Sequence, residues 1–131
     1  QRGFKFISSL FDTAVFESQI LEKNNKYSLL VSFKGKDVMK PEVLLNGHFD
    51  VVPAEDESQY NLRVEGGRAY GRGTVDMKGM ASILIEVMQE LGRKENPPNV
   101  ALLLNADEEV GGENGAGYCT RELGIKPQFL Y

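Results

Sequence analysis

Hydrophobic residues near the start of the chain recur first with a helical period and then with a strand period. The apolar positions within residues 4–11 predict a short amphipathic helix that ends near Asp12. Residues 15–21 predict a strand despite poor alternation, and residues 27–33 alternate as in a strand with one apolar face. Asn24 and Asn25 lie between them, and asparagine tolerates the left-handed backbone of a turn. We therefore expect a hairpin over residues 15–33.

Two later segments are short, continuous apolar runs, at residues 43–46 and 100–105. Such runs are typical of central strands that are buried on both faces. Between them, apolar residues at helical spacing predict an amphipathic helix; they are Met77, Met80, Ala81, Leu84, Val87, Met88 and Leu91. We expect Gly92 to be its C-cap, and Pro97 and Pro98 forbid its continuation.

The last third of the chain predicts one more helix and one more strand. The helix is expected after the glycines of residues 111–117, towards Leu123, and Gly124 stops it. Residues 127–131 predict the strand. The alternation of strands and helices predicts an α/β fold, in which a mostly parallel sheet carries helices on its faces in a three-layer α/β/α arrangement.

Length, charge and cysteine content exclude several classes of protein. The chain has 131 residues, 41% of them hydrophobic, and a net charge of −4, which fits one globular domain. The charge provides no basic surface for nucleic acid or an anionic membrane, and no apolar run could cross a bilayer. Cys119 is the only cysteine and is expected to be a buried core thiol, so we expect a reducing, cytoplasmic location. Because the chain begins with Gln1 and ends on an apolar run, we expect a fragment of a longer protein.

Both buried strands are followed by side chains that can bind metals or move protons. The first run continues as Asn-Gly-His48-Phe-Asp50, and the second as Asn-Ala-Asp107-Glu108-Glu109. Ligands of open α/β sheets bind in the crevice beyond the carboxyl ends of the strands. We expect these two loops to meet there with a third, residues 70–76, which ends in Asp76.

His48 and Asp50 are two residues apart, so on an extended segment both side chains leave on one face. A carboxylate can then hold one imidazole nitrogen and leave the other for a metal ion. The alternative, and the more frequent meaning of an isolated His-x-Asp, is a surface histidine beside an aspartate. His48 is also the only histidine, which weakens a zinc site built from these residues alone.

Glu108 and Glu109 are adjacent acids, and on an extended segment they would point in opposite directions and could take separate roles. A solvated acidic loop is the alternative. Three acids at the end of a buried strand are nevertheless electrostatically costly without cations, and no lysine or arginine lies nearby in the sequence.

Two segments of the chain are rich in glycine, residues 71–79 and residues 111–117. Residues 71–79 could cradle a phosphate before a helix, but they match neither a dinucleotide fingerprint nor a Walker loop, and Asp76 would repel a phosphate. Asp76 is better suited to a cation, with glycines that let the backbone approach closely. Residues 111–117 are interpreted as a flexible loop that only shapes a pocket wall.

Three strings together resemble the zinc-dependent aminoacylase and carboxypeptidase family, which includes acetylornithine deacetylase and succinyl-diaminopimelate desuccinylase. They are LLNGHFDVVP at residues 44–53, YGRGTVDMKG at 70–79 and NADEEVGGENGA at 105–116. The resemblance implies a hydrolase that cleaves an amide bond of an N-acyl amino acid or peptide with a metal-activated water. It also implies two zinc ions, for which cobalt or manganese could substitute, and a homodimeric full-length protein.

The resemblance assigns a role to each matched residue. His48 and Glu109 would each ligate one metal ion, Asp76 would bridge both, and the Asp76–Met77 peptide would be cis. Asp50 would orient His48, and Glu108 would be the general base.

The chain also departs from the family pattern. Residues 54–60 lack the expected Trp and Pro-Phe pair, so the resemblance does not extend to the rim of the substrate pocket. Residues 1–131 contain neither a second histidine nor the lid domain of the family. They also lack its further acidic ligand, because Glu113 and Glu122 come too early in the sequence to be that residue. We therefore expect residues 1–131 to be the N-terminal portion of a dizinc exopeptidase-type catalytic domain, inactive alone. A non-catalytic metal- or ligand-binding module that kept the fold is the main alternative, and a nucleotide-binding domain is a distant third.

Overall fold

The computed structural model describes all residues, 1–131, and is built around one five-stranded sheet. The N-terminal helix α1 covers Arg2–Ser8. The sheet contains β1 (Phe16–Lys23), β2 (Lys26–Phe33), β3 (Val43–His48), β6 (Val100–Asn105) and β7 (Phe129–Leu130). The strand order across the sheet is β1-β2-β6-β3-β7. Two further short strands, β4 (Arg63–Glu65) and β5 (Arg68–Tyr70), form a separate hairpin.

The predicted hairpin is present, and its turn lies where the asparagines predict it. β1 and β2 pair antiparallel from Phe16–Phe33 to Lys23–Lys26, and Asn24 and Asn25 both have positive φ. The predicted apolar face of β2 is present, and its Leu29, Val31 and Phe33 lie in the larger hydrophobic cluster. The opposite face is buried as well, and even its two serines are covered, because a second cluster packs on that side of the sheet.

The sheet is mixed. β3 pairs parallel with β6 on one side and with β7 on the other, whereas β2 pairs antiparallel with β6. The expectation of a mostly parallel sheet therefore describes β6, β3 and β7, and the N-terminal hairpin extends these strands in antiparallel fashion.

The main helix, α2, covers Gly79–Gly92 and so begins two residues later than predicted. Asp76 and Met77 have non-helical backbone angles inside a wide turn over Thr74–Lys78. The predicted face was also too broad: Met80 and Val87 are exposed, whereas Ile85, which was not predicted, is buried with Ala81, Leu84 and Met88.

Gly92 does not cap α2 as expected. It is the last helical residue, and Arg93 follows with right-handed helical angles. A Cβ at position 92 would lie 2.6 Å from Cζ of Phe16, so the glycine permits close approach of the helix end to β1. The second predicted helix is reduced to one wide turn, Tyr118–Glu122, and Gly124 follows it with a positive φ.

Two hydrophobic clusters cover the sheet. The larger joins α1 and α2 to one set of strand residues, among them Leu29, Val31 and Leu102. The smaller joins the alternate residues, such as Leu30 and Leu103, to Cys119 and Ile125. The predicted core thiol is thus confirmed: Cys119 is fully buried, and burial raises its pKa to about 11. No helix combines the length and the hydrophobicity that a membrane crossing requires.

Candidate metal centre

The carboxyl ends of β3 and β6 lie side by side, as predicted. His48, the last residue of β3, is in register with Asn105, the last residue of β6. A buried amide chain crosses three strands at this level: the Ser28 hydroxyl donates to Asn105 Oδ1 at 3.0 Å, and Asn105 Nδ2 donates to Asn46 Oδ1 at 2.8 Å. The loops after both strands therefore start from a rigid, hydrogen-bonded edge.

Asp50 contacts one side of His48, but the hydrogen bond is with the Asp50 backbone carbonyl oxygen and not with the predicted carboxylate. The side chain of His48 is 6% exposed, and its Nδ1 lies 3.2 Å from the Asp50 carbonyl oxygen and 3.4 Å from the Asp50 carboxylate. The other carboxylate oxygen of Asp50 accepts the backbone N–H of Glu109 at 3.0 Å. Asp50 therefore fixes both the imidazole and the loop after β6.

The opposite nitrogen of His48 faces the third loop. Its Nε2 lies 3.0 Å from Asp76 Oδ1, and the Asp76 side chain is 73% exposed. The Asp76–Met77 peptide is cis, as the family resemblance implies. All three predicted loops thus converge at one point, and this point lies open on the surface.

Glu108 and Glu109 both lie at this point, but not for the predicted reason. They form a 3-10 turn, Glu108–Val110, and not an extended segment. Glu108 Oε2 lies 3.7 Å from His48 Nε2. Glu109 Oε1 accepts the backbone N–H of Val52 at 3.3 Å, which ties the loop after β6 to the loop after β3.

Asp107 has a function that sequence reasoning missed. Its carboxylate is 1% exposed and accepts the backbone N–H groups of Asn114 at 2.8 Å and Gly115 at 2.9 Å. Both bonds go to Oδ2 and offset part of the cost of burying the carboxylate, whereas Oδ1 is buried without a hydrogen-bond partner. Residues 111–117 are therefore anchored to the end of β6. The signal that could have revealed this was Gly115, because a Cβ there would overlap Asp107 Oδ1.

Glycines also allow close packing in the third loop. Gly73 has a φ of +83°, and a Cβ there would lie 2.6 Å from a methyl group of Val51. A Cβ at Gly79 would lie 2.5 Å from the Thr74 carbonyl oxygen. The predicted close approach is present, and its partners are the neighbouring loop and the loop's own backbone.

The charges around His48 favour its protonated form. Burial acts to lower the pKa, but the hydrogen bonds to Asp50 and Asp76, together with the negative charges of Glu108 and Asp50, raise the pKa of His48 above 6.5. The same concentration of negative charge would attract a divalent cation.

The donor set fits such a cation. His48, Asp76 and Glu109 each place one ligand atom within 4.8 Å of the others. An imidazole nitrogen with carboxylate oxygens is a usual set for zinc and suits other transition metals. Glu113 and Glu122 do not join this cluster, because they pair with Arg121 and Lys23.

Comparison with known proteins identifies the family. The model of the peptidase family M20/M25/M40 matches residues 44–131, which include all three loops. The chain belongs to this family. The resemblance expected from the three strings is therefore confirmed.

Three relatives of this M20 chain have different names. The chain is 37% identical over 97 residues to a probable carboxypeptidase S-like 1 of Dictyostelium discoideum, and the match covers 70% of this chain and 20% of that protein. It is 33% identical over 111 residues to a probable succinyl-diaminopimelate desuccinylase of Staphylococcus aureus, covering 79% of this chain and 27% of that protein. It is 29% identical over 114 residues to an acetylornithine deacetylase of Buchnera aphidicola, covering 84% of this chain and 29% of that protein.

The chain thus spans between about a fifth and three tenths of the length of these curated relatives. The crystal structure of human carnosine dipeptidase 1 has the same fold, with a TM-score of 0.63 at 20% identity over 98% of this chain and 30% of that one.

Proposed function

We propose that the protein is a metal-dependent hydrolase that cleaves an amide bond of an N-acyl amino acid or peptide, with water as the nucleophile. The observation that carries the proposal is the convergence of His48, Asp76 and Glu109, with Glu108 beside them, at the carboxyl ends of β3 and β6. The relatives are named as a deacetylase, a probable desuccinylase and a probable carboxypeptidase, and these names support the same reaction class.

Zinc is the proposed cation, and His48, Asp76 and Glu109 are its proposed ligands. When bound, it would polarise the scissile carbonyl and lower the pKa of the attacking water. His48 would offer Nε2, because Asp50 contacts its Nδ1 and can fix the tautomer. Asp76 is the proposed bridge between two such ions.

Glu108 is the proposed general base. Its carboxylate lies 3.7 Å from His48 Nε2 but is not one of the three clustered ligand atoms, so it remains free to accept a proton. The side chain is 58% exposed, which allows it to move with substrate. Glu108 would take a proton from water and pass it to the leaving amine, which needs one proton to depart as a neutral product.

We further propose that residues 1–131 form the N-terminal part of a three-layer α/β/α catalytic domain. Hydrophobic clusters on both faces of the sheet support three layers. Two zinc ions with about four ligands each need more donors than the three clustered side chains provide. The 131-residue chain is therefore proposed to be inactive without ligands from elsewhere, and the whole protein is proposed to be a cytoplasmic homodimer.

The test is Glu108→Gln in the full-length protein, with Glu113→Gln as the matched control. Glu113 lies on the following loop and is paired with Arg121, away from the cluster. A general base contributes about 10²–10⁴-fold, so Glu108→Gln should lower kcat by that factor while the zinc content stays unchanged. Full activity in Glu108→Gln would contradict the role of Glu108. A wild-type protein that binds zinc but hydrolyses no acyl amino acid or peptide would favour the non-catalytic binding module.

A further inference from the structure

Arg72 is a half-buried cation that has no partner in the fold. Its Nε is fully buried and makes no hydrogen bond. Three other arginines, Arg63, Arg93 and Arg121, each pair with a glutamate at the surface, whereas Arg72 pairs with no carboxylate. Removing a guanidinium group from water is unfavourable when no anion lies beside it to compensate for the lost hydration. Of its guanidinium nitrogens only Nε is buried without a partner, so an anion from outside would bind to the two terminal nitrogens.

The backbone holds Arg72 in a fixed position. Its N–H donates to the Gln59 carbonyl oxygen at 2.6 Å, and the Thr74 hydroxyl donates to the Gly71 carbonyl oxygen at 2.8 Å. Gly73, the next residue, has no space for a side chain. Arg72 therefore belongs to a rigid segment, which lowers the entropy cost of binding a ligand there.

Arg72 lies where the candidate metal centre meets two further cavities. A cavity of about 270 Å³ is lined by Arg72 together with Asp76 and Glu109. Arg72 also lines neighbouring cavities of about 360 and 600 Å³, on the side of the β4–β5 hairpin. Lys78, which also makes no ion pair, lines the 360 Å³ cavity with Arg72. A molecule whose reacting bond lies at the acids can thus reach two free cations.

We propose that Arg72 binds a carboxylate group of the substrate and selects for anionic acyl amino acids. The inference rests on the proposed function and deepens it. In an N-acyl amino acid, one carbon atom separates the scissile amide nitrogen from the carboxylate, so the carboxylate has to lie close to the hydrolytic centre. Guanidinium groups bind carboxylates through two parallel hydrogen bonds, a geometry that lysine cannot reproduce. The anion would then supply the partner that Arg72 lacks.

The test compares carboxylate probes with amide probes that differ only in charge. N-acetyl derivatives of alanine, methionine and ornithine, and their carboxamides, are titrated by calorimetry into zinc-loaded full-length Glu108→Gln protein, in which the base is removed. Arg72→Gln and Arg72→Lys are added to this background. Arg63→Gln is the matched control, because Arg63 lines the 600 Å³ cavity but is exposed and paired with Glu65.

A carboxylate that hydrogen-bonds to the half-buried Arg72 should lose about 10- to 100-fold in affinity when Arg72 becomes glutamine. We expect Arg72→Gln to weaken the tightest carboxylate probe by this factor and its carboxamide by less than about 3-fold, within the spread of a neutral contact. Arg72→Lys should retain part of the preference, and Arg63→Gln should retain all of it.

Equal weakening of both probes overturns the inference. A lower melting temperature with an unchanged carboxylate preference also overturns it, because Arg72 would then be a structural contact. Absence of binding by every probe overturns it as well. Hydrolysis by the protein with Glu108 intact is measured separately: a carboxylate preference that depends on Arg72 in a protein without hydrolysis would reject the proposed function and keep the anion site.

Discussion

The substitution Gly115→Ala tests how the acidic loop is held in place. An added Cβ would overlap Asp107 Oδ1 and lie 3.0 Å from Cβ of Asn105, so the loop has to move away from the end of β6. This movement breaks the two backbone hydrogen bonds to the buried Asp107 carboxylate. Each hydrogen bond to a charged group is worth about 1.5–3 kcal/mol, so the variant should lose about 3–6 kcal/mol of unfolding free energy.

The assay is equilibrium denaturation in urea, with Gly3→Ala as the matched control. Gly3 lies in helix α1, and a Cβ there would contact nothing within 4 Å. Gly3→Ala should leave the unfolding free energy unchanged or raise it by up to about 1 kcal/mol, because alanine favours helix more than glycine does. With a urea dependence of about 1–3 kcal/mol per molar, Gly115→Ala should lower the midpoint by at least about 1 M. A Gly115→Ala variant as stable as wild type would refute the anchoring role of Asp107.

Three further predictions concern single side chains. His48 is the only histidine of residues 1–131, so its imidazole signal in a proton NMR titration of this chain is unambiguous; without metal its pKa should exceed 6.5, and added zinc should abolish the titration, since a ligated nitrogen cannot be protonated. A pKa at or below 6.5 would contradict the described surroundings. The Cys119 thiol, with a pKa raised by burial to about 11, should react with a disulfide reagent at pH 8 only after denaturation, and rapid labelling of the native protein would count against its burial. Gly92→Ala should lower the melting temperature, because crowding against Phe16 costs about 1–3 kcal/mol and exceeds the helix-propensity gain of about 1 kcal/mol; an unchanged or higher value would disprove this close contact.

Local sequence patterns predicted the elements well but not their surroundings. The hairpin turn at Asn24 and Asn25 follows from the backbone preference of asparagine, and the parallel strands β3 and β6 follow from their continuous apolar runs. The burial of Ser28 and Ser32 could not be predicted in this way. It depends on Cys119 and Ile125, which lie far along the chain and pack with Leu30 on the same face of the sheet.

The candidate site shows the same limit. Strand ends followed by His48 and Glu109 predict a common crevice, because parallel strands end at the same edge of a sheet. Asp107 could not be separated from Glu108 and Glu109 on composition alone. Its different role depends on the backbone N–H groups of Asn114 and Gly115, which fold back onto it. The position of Arg72 likewise depends on a contact outside its own loop, in which its backbone N–H donates to the Gln59 carbonyl oxygen.

Anomalous X-ray scattering from crystals of the protein grown with zinc tests the central claim most directly. The account predicts a zinc peak about 2.0–2.2 Å from His48 Nε2 and from a carboxylate oxygen of Asp76 or Glu109. Zinc bound elsewhere, with these three side chains free of metal, would contradict it.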